Sequence, residues 1–362
     1  IPPTAIPPTA IPPTATQISE SSSNDYFEKG VEYIKQGDYE KAVMQFDQAI
    51  NLDSRRADAY ALRGYSYFEL GKYERAIKDY DESLRLKPDD SAVHNDRGNA
   101  YNSLGQYDHA IENFDQAIRL DPKDAELYTG RGSVYANLGQ FERAIQDHNE
   151  AIRLNPELHS AYNNKGYAHM SLGQLQLAIS DFTEAIRLNP RSAITYLNRG
   201  SAYRRLGQPD RAIEDFNEVI KLDPQQFRAF NNRGNTYISL RQPDRAIEDF
   251  NEAIRLNPGY ANAYNGRATA LLLLGQFEQM VQDAGMAIRL NPQFYMAYFN
   301  RGVAYSSLGQ NERAIEDLNE AVRINPNYAT GYYLRGLIYQ ELGKPEDAEK
   351  DIAKAKELGF TP

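Results

Sequence analysis

The chain is 362 residues long and acidic, with 40 Lys and Arg against 50 Asp and Glu for a net charge of −10, and it contains no cysteine. That composition rules out disulfides, thiolate catalysis and cysteine-built metal sites, and the acidic field disfavours a phosphate backbone, so no nucleic-acid partner is expected. The hydrophobic share of 41% is scattered in short stretches, and no membrane span is expected from it.

The chain opens on a segment unlike the rest. Residues 1–15 read IPPTA three times, and four serines lie between Thr16 and Asn24. Paired prolines fix φ and remove backbone donors, so residues 1–22 read as a Pro/Thr/Ser-rich low-complexity tail, extended or disordered. A preformed extended strand costs little entropy to dock, so the tail is a candidate for lying in a groove of its own or a neighbouring molecule, which would make a homo-oligomer. No signal peptide is evident and the first residue is Ile1, which leaves a cytoplasmic protein and one exported after loss of a leader equally open.

From Ser23 to Pro362 the chain repeats every 34 residues, in ten copies. Glycine returns at Gly30, Gly64, Gly98, Gly132, Gly166, Gly200, Gly234, Gly302 and Gly336, with Ala268 in the one gap. A second series holds Gly37, Gly71, Gly105, Gly139, Gly173, Gly207, Gly275, Gly309 and Gly343, with Arg241 in its gap. An unbroken register leaves no room for an inserted catalytic domain, and repeat arrays present surface.

The sixth copy shows what each unit builds. Tyr196, Gly200 and Tyr203 share one helical stripe, as do Ala212, Phe216 and Val219, so each half is an amphipathic helix. Gly207 supplies the left-handed residue that ends the first helix, Pro209 opens the second, and Asp223-Pro224 stops it. Gly200 and Ala212 are expected where the two helices cross closely. One pair has too little core to fold alone, so the pairs must stack. The eighth copy departs most, with Ala268, Leu271, Met280 and Ala284, which reads as packing drift. The tenth ends in a second helix carrying Lys350, Asp351, Lys354, Lys356 and Glu357, as expected for a C-terminal cap that faces water.

The seventh position of every copy is basic, and the twenty-third is aspartate in eight of ten. This pattern predicts an Arg–Asp ladder between packed helices, each rung worth about 1 kcal/mol. His94, His148 and His169 stand where most copies carry an aromatic residue and read as core substitutes. Protonation below about pH 6 would then soften the junction of the fourth and fifth copies. No phosphate-binding loop, dinucleotide fingerprint, nucleophile elbow, calcium loop or zinc-helix spacing occurs, so no catalytic residue, metal site or cofactor is assigned and the chain does not read as an enzyme.

In residues 23–362 the pattern of aromatic, glycine, tyrosine, glycine, alanine, aromatic, alanine and proline resembles the tetratricopeptide repeat (TPR). The resemblance implies an all-α, right-handed superhelical α-solenoid of antiparallel helix pairs, with the first helices lining a concave face. It implies a scaffold that binds extended peptide segments there. Two alternatives stand beside this, a self-assembling structural protein and the repeat region of a larger enzyme such as a glycosyltransferase. The close likeness of the copies points to recent duplication, common in bacterial members of the family.

On that face asparagine is over-used for a modest helix former. The candidate peptide-binding residues are Asn95, Asn99, Asn163, Asn164, Asn198, Asn231, Asn232, Asn235, Asn265 and Asn300. Arg204, Arg205 and Arg228 are added as cations and Tyr167 and Phe299 as apolar anchors. An amide offers donors and an acceptor, so a row of them can pair with a peptide backbone whatever its side chains. The carboxylate clamp of chaperone-binding family members requires lysine at the fifth position, which no copy supplies. Acidic residues gather in the early copies, at Glu28, Asp58, Glu69 and Asp96.

Overall fold

The computed structural model describes residues 15–361, among which twenty α-helices and no strand occur. The chain forms two compact units, residues 1–174 and 175–362. The first holds α1 (Ala15–Gln36), α2 (Tyr39–Leu52), α3 (Ala57–Glu69), α4 (Tyr73–Leu86), α5 (Ser91–Ser103), α6 (Tyr107–Leu120), α7 (Ala125–Asn137), α8 (Phe141–Leu154) and α9 (His159–Ser171). The second holds α10 (Leu175–Leu188), α11 (Ala193–Arg205), α12 (Pro209–Leu222), α13 (Phe227–Ser239), α14 (Pro243–Leu256), α15 (Ala261–Leu273), α16 (Phe277–Leu290), α17 (Tyr295–Ser307), α18 (Asn311–Ile324), α19 (Ala329–Glu341) and α20 (Pro345–Glu357).

The helix α1 starts at Ala15, so residues 15–22 are helical where the sequence places the end of a tail. Pro13 is the last proline before it, and beyond that point nothing breaks the backbone hydrogen bonding. The proposed docking of the IPPTA segment lies outside the described residues.

Each repeat closes in the same way. Gly207 takes φ of 74°, and the Gln208 N–H donates to the Tyr203 carbonyl at 2.9 Å, satisfying an orphan carbonyl of α11. Pro209 then begins α12 where its missing donor is not needed. Behind the turn the two helices cross tightly. A Cβ on Gly200 would come within 2.8 Å of the Phe216 ring, and Ala212, Phe216 and Val219 are fully buried.

The eighth copy keeps its core by exchange. Met280 fills the place of the usual alanine while Ala284 replaces the usual aromatic ring, and both are fully buried in one cluster with Ala268, Leu271 and Ala304. Side-chain volume has moved from one helical turn to the next, so the packing survives. His148 does the reverse at the aromatic position of the fourth copy. It is fully buried, and neither ring nitrogen finds a hydrogen-bond partner. His94 is buried too and meets the Pro88 carbonyl at 3.1 Å.

The predicted ladder is present in both units. Arg63 and Arg131 grip Asp79 and Asp147 with two nitrogens each in the first. Arg199, Arg233, Arg267, Arg301 and Arg335 grip Asp215, Asp249, Asp283, Asp317 and Asp351 in the second. Asp351 is thus a buried rung and not one of the solvent-facing charges expected of the last helix. The ladder also has an arm that the spacing did not reveal. The remaining nitrogen, Nη1, reaches back to the second helix of the preceding copy, at Asp47 from Arg63, Asp115 from Arg131 and Asn217 from Arg233. One guanidinium therefore ties its own helix pair to the one before it.

Candidate functional site

Within each unit, first helices of neighbouring copies touch one another, as α3 does α5 and α13 does α15, so their faces form a continuous layer. The asparagines are distributed along these layers and bond to one another, to Asp96 and to hydroxyls of neighbouring first helices.

In the first unit Asn95 and Asn99 line a cavity of about 370 Å³ between α5 and α7, with Thr129, Gly130 and Ser133 opposite. Asn95 donates to Asp96 at 3.1 Å. The Asn99 side-chain amide makes no hydrogen bond to another described residue. Asn163 donates to Asn164, and Asn164 reaches sideways to the Ser133 hydroxyl at 3.2 Å. Tyr167 is 47% exposed.

In the second unit the same sideways bond joins Asn232 to the Ser201 hydroxyl at 3.4 Å. Asn300 donates to Asn265 at 2.9 Å and faces Thr269 at 3.3 Å. Asn235 turns back on the Asn231 carbonyl of its own helix. Asn231 and Asn300 are buried. Asn300 ties α17 to α15, whereas the Asn231 side chain bonds only to Asn232 of its own helix and leaves its Oδ1 without a partner among the described residues. Phe299 is also drawn inward, edge-on to Tyr328 with ring centroids 5.1 Å apart, and packs on the cluster around Leu318. It remains partly exposed. Asn198 is half-buried on α11. Arg204 and Arg205 are exposed in the last turn of α11, where loss of hydration and then the neighbouring charge of Arg205 hold Arg204 below its usual value. Arg228 is exposed at the start of α13 with its guanidinium 5.7 Å from the Phe227 ring.

The sequence marked Asp58 and Asp96 only as local charge, whereas the structure sets them in a largely apolar cavity of about 450 Å³ between α3 and α5, with Ala61, Leu62, Tyr65 and Val93. Burial pushes the Asp96 carboxyl up to about 6, against the pull of its Asn95 hydrogen bond. The repeat period alone could not foresee this recess, because it depends on the small side chains Ala57, Ala61 and Ala92 in one pair of copies.

Family models described as TPR repeat match residues 30–71, 64–102, 98–139, 132–173 and 304–343. Others described as tetratricopeptide repeat match 163–227, 227–260, 250–282, 286–316 and 329–358. The chain belongs to the tetratricopeptide-repeat family. Among solved structures it is similar to a tetratricopeptide repeat protein from Parabacteroides merdae ATCC 43184, at 25% identity and a TM-score of 0.56, covering 66% of this chain and 94% of that one. It also shares the fold of the Cut9-Hcn1 hetero-tetramer of APC/C, at 14% identity and a TM-score of 0.57, covering 95% and 90%. The yeast Tom70 structure is similar at 16% identity and a TM-score of 0.50, covering 95% and 93%. No curated protein matches the chain.

Tetratricopeptide arrays generally mediate protein binding, and every family match along this chain is to that repeat. Among the described residues, no helix is long and apolar enough to cross a membrane, and no cluster of His, Cys, Asp and Glu is placed to hold a metal ion.

Proposed function

We propose that the protein is a non-enzymatic scaffold whose first-helix faces bind extended peptide segments of a partner protein. The observation that carries this reading is the recess between α5 and α7, where the Asn99 amide stands beside Asn95 without a partner among the described residues. An amide in that state offers donor and acceptor together, the pair that a peptide unit presents in return. Tyr167 in the first unit and Arg204, Arg205 and Arg228 in the second supply an apolar contact and positive charge for side chains of the ligand. The sideways bonds of Asn164 and Asn232 support the reading in another way, since a face already ordered loses less entropy when a ligand binds.

Selection from a random peptide library on the whole chain tests it. Peptides so selected should lose about tenfold in affinity for an Asn95→Ala/Asn99→Ala variant, about 1.4 kcal/mol. They should lose as much when their own backbone amides are methylated. Binders that ignore both changes would show that this face does not read a peptide backbone.

A further inference from the structure

The repeats act as controls for one another, and one copy stands out. In seven junctions the Nη1 of the ladder arginine is held by an oxygen at the same place in the preceding second helix. Arg63, Arg97 and Arg131 meet Asp47, Asp81 and Asp115, and Arg199, Arg233, Arg267 and Arg335 meet Thr183, Asn217, Asn251 and Asn319. Arg301 meets Gly285 there, and its Nη1 makes no hydrogen bond to a described residue. A Cβ at Gly285 would stand only 3.7 Å from that nitrogen, so the oxygen is missing because the side chain is missing.

One residue further on, a second oxygen is lost. Arg85, Arg153, Arg187, Arg255 and Arg323 each pair with a glutamate three residues earlier. Arg289 has Met286 in that place and reaches only its sulfur, at 3.5 Å. Two guanidinium groups thus lose their usual oxygens in adjacent positions of α16. Both line one cavity of about 530 Å³, together with Gly285, Met286 and Arg267. Arg267 is already held by Asp283 and Asn251, and Asp283 is neutralised by it.

We propose that this cavity is a carboxylate-binding site, in which the acidic side chain of a partner protein takes the place of the two oxygens that the eighth copy lacks. Arginine presents paired N–H donors that fit a carboxylate; the donors left over here are Nη1 of Arg301, whose other nitrogens hold Asp317, and the guanidinium of Arg289. The site lies between α16 and α17 and does not depend on the asparagine face, so either assignment can fail without the other.

The test uses the whole chain, labelled with ¹³C at the arginine Cζ, at constant ionic strength. The probes are N-acetylaspartate amide and inorganic phosphate. Saturable shifts are expected at Arg289 and Arg301 with the acetylaspartate probe. Gly285→Asn/Met286→Glu, which rebuilds the usual copy, should weaken that response at least about tenfold and raise Tm in the absence of probe. Arg289→Gln, an exposed change that leaves the ladder intact, should weaken it as well. An equal response in the wild type and the rebuilt variant would overturn the proposal. So would phosphate binding more than about tenfold tighter than the carboxylate, which would make a phosphoryl group the occupant.

Discussion

Arg233 holds Asp249 through two parallel hydrogen bonds, Nε to Oδ2 at 2.9 Å and Nη2 to Oδ1 at 2.6 Å. The Asp249 side chain is only 6% exposed. Burial, the largest influence on it, pushes its carboxyl above the ordinary range, although Arg233 pulls it back. Such a pair is costly to break and cheap to replace as a whole. Asp249→Ala should destabilise α13 and α14 by about 3 kcal/mol, and Arg233→Met/Asp249→Leu should recover most of that. Hydrogen exchange of those two helices measures both, since an array opens locally. The exposed pair of Arg255 with Glu252 is the internal comparison, and Glu252→Ala should cost less than about 0.5 kcal/mol.

His148 should make the first unit acid-sensitive. Burial first, and the charge of Lys165 second, push its pKa down from 6.5 to about 4. The folded state therefore binds its proton later than the unfolded chain does. The neutral ring's contribution is intact above pH 6.5 and is lost as the pH falls towards 4, a difference of about 3 kcal/mol. His148→Phe restores the ring found at Phe114 and Phe182 and should flatten that slope while raising stability at pH 7. Urea midpoints at pH 7.5, 5.5 and 4.5 check it, and parallel slopes in the two proteins would count against the buried histidine.

The fold was legible because ten copies repeat one argument. Gly207 and Phe216 each state a turn or a core position that most other copies restate, and Pro209 states a helix start that Pro243 and Pro345 restate. The ladder could be read from spacing alone, since an arginine and an aspartate kept in register must meet somewhere. The third arm of the arginine, to Asp47, Asp81 and Asp115, was not readable from spacing, because it requires the neighbouring copy to be known to lie alongside. The site was less legible. Period places Asn231, Asn300 and Phe299 on a face but does not say how deep they sit: Asn231 and Asn300 are buried, the latter against the Thr269 hydroxyl, and Phe299 is half-buried against the Tyr328 ring. Exchanges such as Met280 with Ala284 look like decay in the sequence and prove to be compensated only when the shared cluster is seen.

The close crossing at Gly200 predicts that a good helix former will do harm. Alanine gains about 1 kcal/mol over glycine in a helix interior. Here its Cβ would meet the Phe216 ring at 2.8 Å and the Asp215 Cβ at 3.1 Å, and a packed ring with no exposed edge has nowhere to move. Overpacking of this kind costs about 1–3 kcal/mol, which outweighs the propensity. Gly200→Ala should therefore speed amide exchange in α11 and α12. Slower exchange would mean that the helices separate without loss.

Arg241 predicts the opposite sign at the turn. It sits with φ of 55° where the other copies place glycine, and it is the sole non-glycine residue with positive φ among those described. The turn itself is formed, since the Gln242 N–H still donates to the Tyr237 carbonyl at 2.9 Å. The left-handed conformation costs a residue with a Cβ about 1–2 kcal/mol. Glycine removes that strain but loses about 0.4–1 kcal/mol through the greater freedom of its unfolded chain. Relief of strain outweighs that loss, so Arg241→Gly should stabilise the pair α13 and α14 by about 0.5–1 kcal/mol. Gly207→Arg should destabilise α11 and α12 by a similar amount, because the same turn is reached from the other side. The two variants together separate the backbone from the side chain. If Arg241→Gly lowers stability while Gly207→Arg also lowers it, the guanidinium of Arg241 makes a contact worth more than the strain it carries.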